Sequence, residues 1–187
     1  MPKVIDNIRE RAVDEARKVL MQDGYSALTI RGIAQQLGIG TGTIYNYFPS
    51  KEYLAAGVML EDWQKMTQDF EQKLAGQSAE AVAAVLFSLI DTFTLRYDPA
   101  WREYEQQGGS RSMIGKYHGA LAEQFTGYIR EALPSEQQER EPYLAGFLAE
   151  ILIRFGSDAS IEYGMIAPAV RKLLSNQSSA LSLTGGN

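Results

Sequence analysis

Residues 38–51 read GIGTGTIYNYFPSK, a stretch that combines three glycines with two tyrosines, a phenylalanine and a lysine. Closely spaced glycines occur in flexible loops and in phosphate-binding loops, but Ile44 and Phe48 follow them here at helical spacing. A phosphate-binding P-loop has the pattern G-x-x-x-x-G-K-S/T after a strand. No lysine directly follows these glycines, and no strand pattern precedes them. The stretch therefore predicts a tight turn that leads into a short helix.

The residues before this stretch predict a second short helix. Thr29 precedes IRGIAQQL, whose apolar residues share one face, and its hydroxyl can cap the first helical turn. Gly38 ends this helix, because glycine readily adopts the left-handed conformation of a tight turn. Two short helices joined in this way are typical of the helix-turn-helix, whose second helix enters the major groove of DNA.

The charge distribution gives weak support to a DNA-binding segment at the N-terminus. The net charge of the chain is −5, which by itself argues against nucleic acid as a partner. Residues 1–51, however, hold seven Lys/Arg against five Asp/Glu, or +2, whereas residues 52–187 hold eleven against eighteen, or −7. A slightly basic head on an acidic body is consistent with DNA binding but does not establish it.

The whole chain is predicted to be all-α, because helical periodicity recurs along it and no period-two strand pattern is found. Beyond the two short helices at residues 30–38 and 41–47, helices are predicted over residues 4–24, 51–74, 79–97, 98–104, 111–132, 142–155 and 168–174. Connections are expected at 75–78 and 106–110, with a polar turn region at 134–141. We expect a three-helix DNA-binding domain at residues 1–49, a ligand-binding and dimerisation bundle at 50–175, and a disordered tail at 176–187.

Composition excludes several classes of site. The chain has no cysteine and one histidine, so disulfides, zinc-thiolate centres and multi-histidine metal sites are ruled out. GGSRS at 108–112 lacks the last glycine of a G-x-S-x-G nucleophile motif, so no enzyme, metal or cofactor is expected. Apolar runs fall short of the ~20 residues that span a membrane, and no signal pattern is present, which predicts a cytoplasmic protein.

Residues 24–54, GYSALTIRGIAQQLGIGTGTIYNYFPSKEYL, resemble the N-terminal domain of the TetR (tetracycline-repressor) family of bacterial regulators. The resemblance is carried by Gly24, Tyr25, Thr29, Ile33, Ala34, Gly38, Ile39, Gly40, Gly42, Thr43, Ile44, Tyr45, Phe48 and Lys51. Two positions depart from the family pattern and change its DNA contacts. Gly40 stands where serine or alanine is usual, and Tyr47 stands where histidine is common.

Short hydroxyls, longer polar side chains and cations are the groups that reach DNA bases and phosphates. With the resemblance, this predicts DNA contacts from Thr29, Arg31, Gly40, Thr41, Gly42, Thr43, Tyr45, Asn46, Tyr47 and Lys51. The alternatives stay open that Tyr45 only packs and that Arg31 and Lys51 are merely solvated.

The resemblance also implies a homodimer whose last two long helices form the interface. Leu144, Leu148, Ile151 and Phe155 lie at spacings of four, three and four and are the expected interface residues, unless this helix lies wholly inside its own domain. Aromatic residues are expected to line an effector pocket or, alternatively, to form ordinary core; they are Phe87, Phe93, Trp101, Tyr104, Tyr117, Phe125 and Phe147.

The function expected is that of a ligand-responsive repressor, released from a pseudo-palindromic double-stranded operator by a small-molecule effector. The alternative is a helical small-molecule-binding protein that does not bind DNA.

Overall fold

The computed structural model describes residues 7–106 and 111–175, without the side chains at positions 69, 72, 101, 105 and 111–117. Every regular element in these ranges is an α-helix, which confirms the all-α prediction. In chain order they are α1 (Ile8–Gln22), α2 (Ile30–Leu37), α3 (Thr41–Tyr45), α4 (Lys51–Leu74), α5 (Ala79–Gln106), α6 (Arg111–Ala132), α7 (Ser135–Arg140), α8 (Leu144–Gly156) and α9 (Tyr163–Leu174). The tail predicted at 176–187 and most of the loop predicted at 106–110 lie outside the described residues. Within the described ranges, no helix is long and apolar enough to cross a membrane.

The described residues form two compact units. The first contains α1–α4 up to residue 73, the second half of α5 and the start of α6, that is, residues 7–73 and 91–119 without 107–110. The second contains residues 74–90 and 120–175. The predicted domain boundary near residue 49 stays a prediction, although α4 and part of α5 share one unit with α1–α3.

The first unit is built on the helix starts and stops that the sequence predicts. The Thr29 hydroxyl accepts a hydrogen bond from the Gly32 N–H at 3.0 Å, which satisfies one of the free amides at the start of α2. Gly24 and Gly38 adopt left-handed conformations, with φ of 83° and 67°, after α1 and α2 respectively. The buried apolar residues of α1, α2 and α3 then join those of α4 and of the second half of α5 in one core.

α5 corrects the prediction of a helix break at Pro99. The helix runs without interruption from Ala79 to Gln106 with Pro99 inside it. An internal proline removes one backbone hydrogen bond and costs about 3 kcal/mol. Tyr97, Ala100 and Tyr104, on one face of α5, are all buried in the core of the first unit, and their burial offsets that cost.

Two further elements differ from the sequence-based expectation. α9 begins at Tyr163 rather than at Pro168, and the Tyr163 ring lies 5.5 Å from that of Phe87. The polar stretch predicted as a turn is the short helix α7. Side-chain amides hold α7 in place: Gln137 donates to the Leu174 carbonyl at 3.1 Å and Gln138 to the Leu133 carbonyl at 2.8 Å. Hydrophobic periodicity could not show this helix, because none of its residues is apolar.

A buried carboxylate, Asp62 of α4, joins three helices of the first unit. Only 6% of Asp62 is exposed. Its Oδ1 accepts from Arg17 Nε of α1 at 2.7 Å, and its Oδ2 accepts from the Tyr97 hydroxyl of α5 at 2.7 Å and from Arg96 Nη1 at 3.3 Å. Burial and the Asp62 carboxylate raise the pKa of the Tyr97 hydroxyl, so this group stays protonated and continues to donate.

We predict that Asp62→Ala lowers the free energy of unfolding by about 3 kcal/mol, because it leaves Arg17 and the Tyr97 hydroxyl without their buried acceptor. Asp14→Ala is the matched control. Asp14 also accepts from Arg17, but its side chain is 58% exposed, so its loss should cost less than about 1 kcal/mol. Urea unfolding measures both values, and equal losses would contradict the central role of Asp62.

Candidate nucleic-acid interface

α3 begins directly after an extended residue, Gly40, and makes a single compact turn. Thr43 N–H donates to the Gly40 carbonyl at 3.0 Å, and Phe48 N–H donates to the Ile44 carbonyl at 2.9 Å. The helical hydrogen bonding thus continues past Tyr45, close to the predicted end at residue 47. Thr41–Tyr45 are the residues with regular α-helical geometry.

The burial pattern of α3 separates an inner from an outer face. Ile44 is 0% and Phe48 is 4% exposed, whereas Tyr45 is 52% and Tyr47 is 48% exposed. Thr43 is half-buried, and the other outward residues are Gly40, Thr41, Gly42 and Asn46. An outer face made of tyrosine, threonine, asparagine and glycine offers hydroxyls, an amide and methyl groups, which are the groups that read base edges.

The fold does not require glycine at the start of α3. A Cβ atom at Gly40 or Gly42 would meet no other heavy atom within 4 Å, and neither residue has a positive φ. Gly38 differs, because its left-handed backbone strains any residue with a side chain. Gly40 and Gly42 therefore leave the N-terminal end of α3 flat, as a close approach to another backbone would require.

The predicted cations flank α3 and do not lie on it, because α3 itself carries no charged residue. Arg31, in the first turn of α2, is exposed. Lys51, the first residue of α4, places its ammonium 4.1 Å from the centre of the Tyr25 ring. Thr29 uses its hydroxyl as the α2 cap. Of the predicted set, the neutral groups other than Thr29 thus lie on α3 or directly beside it, and the charged groups lie at the starts of α2 and α4.

Comparison with known proteins agrees with this arrangement. The model of the bacterial regulatory proteins of the tetR family matches residues 12–58, from within α1 to within α4. An uncharacterized HTH-type transcriptional regulator of Mycobacterium tuberculosis is 24% identical over 182 residues, covering 94% of this chain and 90% of the relative. The HTH-type transcriptional repressor KstR of Rhodococcus jostii is 24% identical over 95 residues, covering 51% of this chain and 44% of KstR.

A solved structure shows the same fold over almost the whole chain. A TetR transcriptional regulator from a Rhodococcus species superposes with a TM-score of 0.56 at 18% identity, covering 91% of this chain and 98% of that one. Residues 12–58 therefore form a DNA-binding domain of the tetR-family type. The chain is a DNA-binding transcriptional regulator, and the helix-turn-helix of this domain is α2 and α3.

Sequence analysis did not identify the residues of α5 that hold the turn between α1 and α2. Glu103 of α5 accepts a hydrogen bond from the Ser26 N–H at 2.7 Å. The Tyr104 ring packs edge-on against Tyr25, with ring centres 5.4 Å apart. Local periodicity could not show either contact, because more than 70 residues separate the partners.

The predicted pocket aromatics are not gathered in one place. Phe93 and Tyr104 belong to the first unit, and Tyr104 is buried in the core with Tyr25. In the second unit Phe87 and Phe125 are buried, whereas 55% of Phe147 is exposed. The side chains of Trp101 and Tyr117 lie outside the described part. The effector pocket stays a prediction.

A cavity of about 280 Å³ lies elsewhere in the second unit, where the end of α6 meets α7 and the start of α8. It is lined by Arg130, Leu133, Gln138, Glu141, Pro142 and Ala145. None of the predicted aromatics lines it.

The predicted interface residues of α8 point in different directions. Leu148 is fully buried within its own unit, whereas Leu144 and Ile151 are half-buried and Phe155 is exposed. Leu148 therefore packs in the core of its own chain. The alternative stated above, that this helix lies inside its own domain, holds for Leu148.

We predict that Gly42→Ala weakens binding to DNA by about tenfold or more while leaving the fold intact, because the new methyl group meets nothing within the protein. Alanine should raise helix stability by up to about 1 kcal/mol. Gly119→Ala is the matched control, since a Cβ at this exposed glycine of α6 also meets nothing. Thermal unfolding and fluorescence anisotropy with a bound DNA fragment measure both effects. Wild-type affinity in Gly42→Ala would show that this end of α3 does not approach DNA.

Proposed function

We propose that this protein is a homodimeric TetR-family repressor that binds a pseudo-palindromic operator and is released from it by a small molecule. The observation that carries the proposal is α3, whose one aliphatic residue, Ile44, is buried and whose outer face is uncharged and presents threonine and tyrosine hydroxyls beside Gly42. Such a surface does not stabilise the fold of the isolated chain. It has the size and chemistry to enter a major groove.

The side chains of α3 suit direct base contacts. An asparagine such as Asn46 can bond both the N6 and N7 atoms of adenine, and threonine methyl groups such as that of Thr43 pack against the methyl group of thymine. Arg31 and Lys51, at the starts of α2 and α4, would contact phosphates on either side of the groove. In this proposal bases are read by α3 and the register is set by the flanking cations.

Dimerisation is supported by a row of apolar residues, at the start of α8 and along it, that the described part of the chain leaves partly uncovered. Tyr143, Phe147, Ile151 and Phe155 recur every four residues, and Tyr143 and Phe147 are 86% and 55% exposed. On α9, Met165 is exposed as well. A second copy would cover this surface through a two-fold axis, which presents two α3 helices to half-sites roughly 34–36 Å apart or a multiple of that spacing.

Release by an effector follows from linkage. A small molecule that binds better to a dimer with the wrong half-site spacing lowers operator affinity, and the operator lowers effector affinity by the same factor. The similar protein KstR is named a repressor, which favours repression over activation. We place the effector in the predicted ligand-binding region, residues 50–175, and we infer no enzymatic activity.

We predict that Tyr45→Ala combined with Lys51→Ala abolishes operator binding, because it removes an exposed tyrosine of α3 and the first cation of α4. The DNA is a fragment that the wild-type protein selects from genomic DNA, and gel shift measures binding. Lys65→Ala is the charge control, since Lys65 is an exposed residue of α4 about 21 Å along the helix from Lys51.

Wild-type affinity should also fall steeply as salt rises, because phosphate contacts release counterions. Undiminished binding by the double variant would refute the role of α3. Failure of the wild-type protein to retain any genomic fragment would instead favour the alternative, a helical protein that binds small molecules without DNA.

We predict that Phe147→Glu converts the dimer to monomers, raising the dimer dissociation constant about 100-fold, because it would bury an unpaired charge at the interface. Leu95→Glu is the control, since Leu95 is equally exposed but lies on α5 in the first unit. Sedimentation equilibrium measures both constants. A dimer that tolerates Phe147→Glu would place the interface elsewhere.

A further inference from the structure

The turn between α1 and α2 is occupied on one side by a single carboxylate. Glu103 Oε2 accepts from the Ser26 N–H at 2.7 Å. Glu103 Oε1 would lie 2.6 Å from a Cβ atom at Gly24, so the carboxylate fills the space that a side chain at position 24 would need. Gly24 also has a φ of 83°. Both features suit glycine at this position.

Tyr25, between Gly24 and Ser26, is held by contacts with both α4 and α5. Tyr25 is buried, and its ring packs edge-on against Tyr104 of α5. Its hydroxyl donates to Glu52 Oε1 of α4 at 3.1 Å, and the Lys51 ammonium lies over its ring. Residues 24–26 are thus fixed between the start of α4 and the last turns of α5.

The position of this turn determines where α2 begins. Leu28 N–H donates to the Tyr25 carbonyl at 3.2 Å, and Thr29 then caps α2. α2 packs directly against α3, and Ile39 N–H, in the turn between them, donates to the Ala34 carbonyl at 3.0 Å. A displacement of Ser26 therefore changes the placement of both helices of the helix-turn-helix.

We propose that Glu103 is a positioning residue for DNA binding: by accepting from the Ser26 N–H, it fixes the α1–α2 turn and so orients α2 and α3. This rests on the proposed function of α3. Glu103 lies 77 positions from Ser26 in the chain, and neither the motif at residues 24–54 nor the predicted DNA-contact set includes it.

The charge of Glu103 and its hydrogen bond to Ser26 have opposite expected effects on DNA affinity. Substitutions at this position can therefore distinguish the two effects. A negative charge near a DNA-binding surface weakens phosphate contacts, so its removal alone should leave affinity unchanged or increase it. Loss of the acceptor should lower affinity, because the turn is then free to shift. The backbone N–H of Ser26 lowers the pKa of the Glu103 carboxyl, so the acceptor is ionised at neutral pH.

The test compares Glu103→Gln with Glu103→Met in the full chain. Both side chains have a similar length, both are neutral and both suit helices. Glutamine offers a carbonyl oxygen to the Ser26 N–H, whereas the methionine sulfur is only a weak acceptor. The probe is the genomic fragment selected by the wild-type protein, in a fluorescence anisotropy titration at fixed salt. We expect Glu103→Gln to bind at least as tightly as wild type and Glu103→Met to bind about tenfold more weakly.

Two controls separate positioning from a general loss of structure. Glu123→Ala removes an exposed carboxylate of α6 in the second unit and should leave affinity unchanged. Circular dichroism and sedimentation should show that Glu103→Met is folded and dimeric. The slope of log affinity against log salt should match that of Glu103→Gln, because the phosphate contacts are the same.

Equal affinity of the glutamine and methionine variants overturns the role of Glu103, whether both equal the wild type or both exceed it. A wild-type protein that binds no fragment overturns both this inference and the proposed function. The two failures are thus distinguished by the wild-type titration.

Discussion

α3 depends on the burial of its own Ile44 and of Phe48, three residues beyond its end. A helix of five residues is not stable alone in water, since nucleation fixes several residues for very few hydrogen bonds. Burial of Ile44 and Phe48 supplies the stability that the few backbone hydrogen bonds of α3 cannot provide. α4 makes room for this anchor: a Cβ atom at Gly57 would lie 3.0 Å from the Phe48 ring. The outward side chains of α3 are not needed for the core. Their identities can therefore suit contact with DNA.

The same first unit uses part of its positive charge internally. Arg9 and Arg17 of α1 pair with Glu61 of α4, and Arg17 also pairs with the buried Asp62. The excess of +2 in residues 1–51 therefore overstates the charge that DNA would meet. In the proposed binding mode, the neutral α3 would select the operator by shape and hydrogen bonds, and Arg31 and Lys51 would add affinity through phosphates without reading sequence.

The helix-turn-helix could be predicted because its caps and turn depend on neighbouring residues. The course of α5 and α9 and the contact of Glu103 depend on long-range packing and could not. The cap at Thr29 and the turn at Gly38 depend on neighbouring residues alone, so the sequence located α2 and α3 nearly to the residue. The predicted starts of helices at Pro99 and Pro168 were wrong, because α5 and α9 continue through these prolines. Long-range packing outweighs the local tendency of proline to begin a helix. The contact of Glu103 with Ser26 joins residues 77 positions apart, and no periodicity encodes it.

The continuity of α5 through Pro99 has a physical basis in where the proline lies. The carbonyl that loses its hydrogen-bond donor belongs to Leu95, one turn earlier, and both Leu95 and Pro99 are exposed. Water can therefore bond that carbonyl, which reduces the cost of the missing bond. On the opposite side, Tyr97 and Tyr104 are buried two turns apart and hold the helix against the core. A break at residue 98 would leave Glu103 on a separate short helix, whereas the intact α5 fixes it beside Ser26.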